Sequence, residues 1–321
     1  MRQNSRAVTL RHSLLLVLTA LIWGVAFVAQ REGGDATGPY TFCCLRYLIG
    51  GAVLLPTVKW MDRAGFTNNK PVTRADKKQL LAGGVCCGLC LSGGSLLQQV
   101  GIYQGTAPGK AGFLTACYIV LVPILGIFLK RRCGWNVWVA TVITVAGLYL
   151  LCMHGSLTVK RSDVLVLLCS VMYSLHILTI DHFINKKTDG VRMSCIQFFV
   201  AAAVCMFPMF FLELHGSVAA LPQALAVAFG REALLPLLFA GVMSSGIAYT
   251  LQIIGQQAVN PTVASLLMSL ESVFSVLAGW LLLGQTLSGR EIGGCVLIFL
   301  AVVLAQLLFS KEGAKPTSQN G

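Results

Sequence analysis

The sequence predicts an all-α integral membrane protein with ten transmembrane helices arranged as two inverted five-helix repeats. Three observations carry this. Of the 321 residues, 56% are apolar and 11% are charged, against about 25% charged in a water-facing globule. The apolar residues form long unbroken runs. The Lys and Arg residues fall between those runs, concentrated in alternate loops.

Residues 13–30, 134–153 and 289–309 hold almost no formal charge, and each can cross the roughly 30 Å hydrocarbon core as a helix. A helix satisfies its backbone within one segment, whereas a barrel strand needs alternating polarity that these runs lack. Spans are expected at about 13–31, 37–58, 79–103, 106–129, 134–153, 163–182, 191–212, 233–256, 262–284 and 289–310. The longest connections are 59–78 and 213–232, and the polar segment 311–321 reads as a disordered cytoplasmic tail. Asn260-Pro261 reads as an N-cap followed by proline at the first helical position. Pro123, Pro208 and Pro236 predict kinks, and the pairs Gly84/Gly88 and Gly101/Gly105 predict close helix approach.

The net charge of +12 does not predict a nucleic-acid partner, because the basic residues sit in short separate loops. With the N-terminus inside, 17 of the 24 Lys and Arg residues lie on the inner side and six on the outer. This bias places both termini in the cytoplasm. The apolar stretch after Arg11 reads as the first span, not a removed signal peptide. The 12 cysteines lie almost all within apolar runs, with Cys133 at a helix–loop junction, and read as small hydrophobes. No metal site or cofactor is expected.

The second half echoes the first at an offset near 150 residues: Pro108 with Pro261, Gly126 with Gly279, Gln99 with Gln252, Trp23 with Tyr173. Five helices is an odd number, so the second repeat enters the membrane upside down.

The segment ASLLMSLESVFSVLAGWLLLGQTLSGREIGGCVLIFLAVVLA from Ala264 resembles the closing part of an EamA-type repeat. ALIWGVAFVAQ from Ala20, LRYLIGGAVLL from Leu45 and GFLTACYIVLVPILGIFLKRR from Gly112 resemble parts of the first. The resemblance, to the EamA branch of the drug/metabolite transporter superfamily, covers residues 13–309, as repeats 13–153 and 163–310. It implies a secondary transporter of the cytoplasmic membrane that works by alternating access without ATP, exporting an amino acid or related metabolite. Where the family usually carries Glu after LLLG, this chain has Gln285, which weakens any role for that position in carrying protons.

Polar residues at depth are costly, about 2.5–3.5 kcal/mol for an ionised one. Glu271 and Arg46 lie near mid-span. Glu271 could bind an amine, exchange a proton as coupling ion or anchor a kinked helix; Arg46 could bind a carboxylate or hold the bundle together. Gln98, Gln99, Gln252 and Gln256 fall on repeat-related helices and could approach the centre from both sides. Trp23, Tyr118 and Tyr249 are interior aromatics, for a pocket wall or core filling. Lys110 lies near the outer end of the fourth span, lining a vestibule or snorkelling to the interface. The expected partners are a small-molecule substrate, protons and the lipid bilayer, with the protein a monomer or homodimer. The rival readings are a small-nutrient importer and a non-transporting receptor or scaffold. No P-loop, HExxH or GxSxG points to an enzyme.

Overall fold

A computed structural model describes residues 2–65, 67, 69–106, 108–129, 134–152, 160–283 and 286–312. All regular elements among them are helical. Three helices open the chain: α1 (Arg2–Thr37), α2 (Pro39–Arg63) and α3 (Arg74–Tyr103). Two short ones, α4 (Pro108–Ala116) and α5 (Tyr118–Phe128), follow, then α6 (Trp135–Cys152), α7 (Arg161–Asn185) and α8 (Gly190–Pro208). The second half continues with α9 (Leu221–Ala228), α10 (Leu234–Leu238) and α11 (Thr250–Gly255). It closes with α12 (Pro261–Met268), α13 (Leu270–Leu283) and α14 (Gly289–Glu312). A π-helical turn at Met209–Glu213 extends α8, and a π-helical segment, Phe239–Tyr249, joins α10 to α11. Among the described residues, eight stretches are long and apolar enough to cross a membrane, and Val137–Leu151 and Val218–Ala228 are shorter apolar helices.

The helix starts follow from local chemistry. Thr73 and Asp76 cap α3 reciprocally: Asp76 N–H donates to Thr73 Oγ1 at 3.1 Å, and Thr73 N–H to Asp76 Oδ2 at 2.9 Å. Asp189 caps α8, accepting Arg192 N–H at 3.0 Å. Asn260 caps α12, accepting Thr262 N–H at 3.0 Å with Pro261 in first position, as the sequence predicts.

Some expectations need correction. Pro208 and Pro236 each precede a π-helical segment, a local departure from the α-helix. Pro123, by contrast, lies inside α5, and that span breaks earlier, at Cys117. The span near 262–284 breaks at Ser269. These two breaks lie 152 residues apart, and no breaker residue marks either, so packing sets them. Segment 213–232, expected as a connection, holds the 3-10 turn Val218–Ala220 and the apolar helix α9. Gly105 is not a packing glycine: it follows α3 with φ +103°, and nothing would lie within 4 Å of a Cβ there. Helix α14 runs to Glu312, into the expected tail. Cys133, Gln285 and residues 313–321 lie outside the described residues.

The surface inverts the arrangement of a water-soluble protein. Leu55, Val142, Phe207, Leu281 and Phe299 are exposed, while Arg46, Gln98, Ser174, Gln197, Gln252 and Glu271 are buried. An apolar exterior around a polar centre suits lipid as the solvent. The packing is paired across the halves. α3 lies on α7 as α1 lies on 239–255, and α3 lies on α8 as α2 lies on 239–249. α4 meets α13 as α5 meets α12, and α6 packs on α14.

Small residues allow these approaches. A Cβ on Gly24 would lie 2.6 Å from Phe274 Cβ and 2.7 Å from the Glu271 carbonyl oxygen, so α1 and α13 touch backbone to backbone. We expect Gly24→Leu to cost about 1–3 kcal/mol by overpacking, read as a lower unfolding temperature in detergent. An unchanged transition would show that the α1–α13 contact is loose.

Candidate functional site

The two broken helices cross where they break. Tyr118 opens α5 one residue after the break at Cys117, and Glu271 lies in the first turn of α13, just past Ser269. Tyr118 Oη donates to Glu271 Oε1 at 3.1 Å. The two residues lie 153 positions apart, so the same point of each half supplies one partner. The hydroxyls of Ser265 and Ser269 bond the carbonyls of Thr262 and Leu266 at 2.8 and 2.7 Å, taking up polar groups near the break.

Beside this pair lies a cavity. Trp23, Phe27 and Gln30 of α1 form one wall, Arg46 and Gln98 another, and Tyr173, His176 and Ile177 of α7 a third. Thr115, Tyr118, Ser244, Tyr249, Gln252, Met268 and Glu271 complete it. Trp23 tilts over Tyr249 with ring centroids 4.7 Å apart, and its indole N–H donates to the Ser244 carbonyl at 3.4 Å.

A hydrogen-bond chain crosses four helices along the cavity wall. Arg46 Nη2 donates to Tyr47 Oη at 2.6 Å and to Ser95 Oγ at 3.3 Å. The hydroxyls of Tyr47 and Ser95 share a hydrogen bond, and Ser95 Oγ lies 3.2 Å from Tyr173 Oη. Tyr173 Oη donates to Gln98 Oε1 at 3.4 Å, and Gln98 Nε2 to Thr115 Oγ1 at 2.9 Å. One face of the guanidinium is therefore fixed, with Cζ 4.7 Å from the Tyr47 ring centroid. The other is not: among the described residues Arg46 Nε and Nη1 have no partner, and neither do the Oε1 atoms of Gln30 and Gln252. Arg46 is 2% exposed and Glu271 4%. They line one cavity, yet neither joins an ion pair among the described residues, so Arg46 does not hold the bundle by pairing with Glu271.

Comparison with known proteins places this arrangement. The EamA-like transporter family matches residues 10–153 and again residues 160–307. The chain belongs to that family. An uncharacterized transporter of Archaeoglobus fulgidus is 26% identical over 303 residues, covering 91% of this chain and 84% of that protein. The uncharacterized transporter YwfM of Bacillus subtilis is 26% identical over 298 residues, covering 91% and 93%. A solved crystal structure superposes with a TM-score of 0.73 over 95% of this chain and 99% of its own at 18% identity, which shows a shared fold.

In this EamA-family chain, seven of the ten residues singled out from the sequence reach the cavity: Trp23, Arg46, Gln98, Tyr118, Tyr249, Gln252 and Glu271. Three do not. Gln99 turns back to α1, donating to the Gln30 carbonyl at 2.8 Å. Gln256 donates to the Ile177 carbonyl at 3.2 Å. Lys110 is tied down instead: its Nζ lies 2.5 Å from Asp163 Oδ2, and Asp163 also accepts Thr106 Oγ1 and Lys160 N–H. The sequence reading passed over Phe27, Gln30, Thr115, Ser244 and Met268. Gln30 alone carried a signal, a buried amide in an otherwise apolar helix. His176 lines the cavity and pairs with Gln197 at 3.0 Å.

Because the Asp163 side chain is 2% exposed, removing its cation strands a buried carboxylate. We expect Lys110→Met to destabilise by about 1–3 kcal/mol and Lys110→Arg to retain stability, measured by thermal unfolding. Equal stability of Lys110→Met and wild type would show the pair to be incidental.

Proposed function

We propose that this chain is a secondary active transporter that moves a small zwitterionic metabolite, an amino acid or related compound, by alternating access around the central cavity. The observation that carries the reading is unspent hydrogen-bonding capacity at the centre. Among the described residues, a guanidinium with two unpartnered nitrogens and a carboxylate without a cation line one cavity, beside unpartnered amide oxygens. Each unmade hydrogen bond of a buried group costs about 1–3 kcal/mol, more where the group is charged. A zwitterion supplies the missing partners, its carboxylate on the Arg46 fork and its ammonium on Glu271. Trp23, Phe27 and Tyr249 offer apolar surface for the rest of the molecule.

The ten-span, two-repeat architecture with both termini in the cytoplasm fits this mechanism. It is supported by the two family matches, by the paired packing across the halves and by the charge bias of the loops. The family resemblance favours export across the cytoplasmic membrane. In this reading Glu271 exchanges a proton as cargo arrives: its carboxylate lines the cavity and accepts the Tyr118 hydroxyl.

Flux tests the proposal. Purified protein in liposomes loaded with amino acids, amines and carboxylic acids is expected to release one zwitterion class selectively, faster under a pH gradient. Glu271→Gln is expected to abolish the response to the gradient, and Arg46→Lys to weaken cargo binding by about tenfold or more, as loss of a two-pronged contact requires. Retention of every compound by wild-type liposomes would contradict the reading.

A further inference from the structure

We propose that Asp62 and Glu213 are a matched pair of latches, one at each end of the interface between α2 and the 190–213 helix, released in turn as the cavity opens to either side. The inference rests on the alternating-access reading and adds the residues that control it.

The two helices run side by side, with the last turn of each beside the first turn of the other. Near the end of α2, both Asp62 oxygens accept from Arg192 Nη2, at 2.5 and 2.6 Å. Arg192 also pairs with Asp189, the N-cap of its own helix. At the opposite end, Glu213 reaches the first turn of α2. It accepts Tyr40 N–H at 2.9 Å, Thr41 N–H at 2.7 Å and the Thr41 hydroxyl at 2.5 Å. Asp62 and Glu213 lie 151 residues apart, at corresponding places in the two family-matched segments. Each carboxylate therefore crosses from its own half to the start of the helix in the other.

The chain is shaped around the second contact. Gly38 has φ +88°, and a Cβ there would lie 2.4 Å from Glu213 Oε1. Only glycine permits both the backbone conformation and the approach of the carboxylate. The two latches differ in chemistry. One is a carboxylate–guanidinium pair that Lys70 joins at 3.3 Å; the other is a carboxylate on backbone N–H groups at a helix start, favoured by the helix dipole. Parting the halves at one end breaks that latch and leaves the other as the pivot, with the Arg46–Ser95–Tyr173 chain between them.

Hydrogen exchange read by mass spectrometry on the full chain in lipid nanodiscs tests this. Asp62→Asn is expected to speed exchange about fivefold around 56–65 and 186–193, and to slow it at 36–42 and 209–216. Glu213→Gln is expected to give the mirror image, and Gly38→Ala to reproduce Glu213→Gln. A merely structural role would loosen only the mutated end or the whole protein, and either pattern would overturn the latches. Liposome flux separates the two proposals. The mirror pattern in a protein that carries no cargo would sink the transport reading, and its absence in a protein that does carry cargo would sink the latches alone.

Discussion

A charged guanidinium held inside an apolar bundle, with no carboxylate paired to it among the described residues, is the constraint on which the rest of the structure depends. Arg46 is 2% exposed, and a charge at such depth costs several kcal/mol unless it is met by hydrogen bonds. The protein meets half of the demand. Tyr47 and Ser95 take one nitrogen, and the chain continues through Tyr173 and Gln98 to Thr115. That chain fixes the relative positions of α2, α3, α7 and α4, and so sets the shape of the cavity. The remaining nitrogens, Nε and Nη1, have no partner among the described residues, and on the proposed reading they meet the cargo.

The crossing of the broken helices is the second organising feature. A continuous helix would carry Tyr118 or Glu271 past the midplane on a fixed helical phase. Breaking α4 from α5 and α12 from α13 lets corresponding residues of the two halves meet. The same logic governs the ends of the α2–α8 pair, where corresponding carboxylates meet different partners. Corresponding places in the two halves therefore carry different chemistry.

The membrane character of the fold was legible in composition and run length, because lipid imposes a coarse and strict rule on every span. The N-cap at Asn260-Pro261 was legible because it is local chemistry. The breaks at Cys117 and Ser269 were not, since no residue there disfavours a helix and the crossing alone decides them. Helix α9 was missed because eight residues are too few to register as a span. Depth along a helix could be read for the polar residues, but the direction each faces could not. Gln98 and Gln99 are neighbours, and one lines the cavity while the other bonds the Gln30 carbonyl. Lys110 shows the same limit: its partner Asp163 lies 53 residues away, and nothing in the spacing announces the pair.

The central claim is that the free face of Arg46 and the carboxylate of Glu271 await the two ends of one small molecule. Ligand-dependent thermal stabilisation of the purified protein tests it most directly, using matched sets of a zwitterion, its amine lacking the carboxylate and its acid lacking the amine. The account predicts that at least one zwitterion raises the unfolding temperature while its two truncated relatives do not, and that Arg46→Lys removes the shift. A shift of equal size from the amine alone, or one that survives in Arg46→Lys, would contradict it.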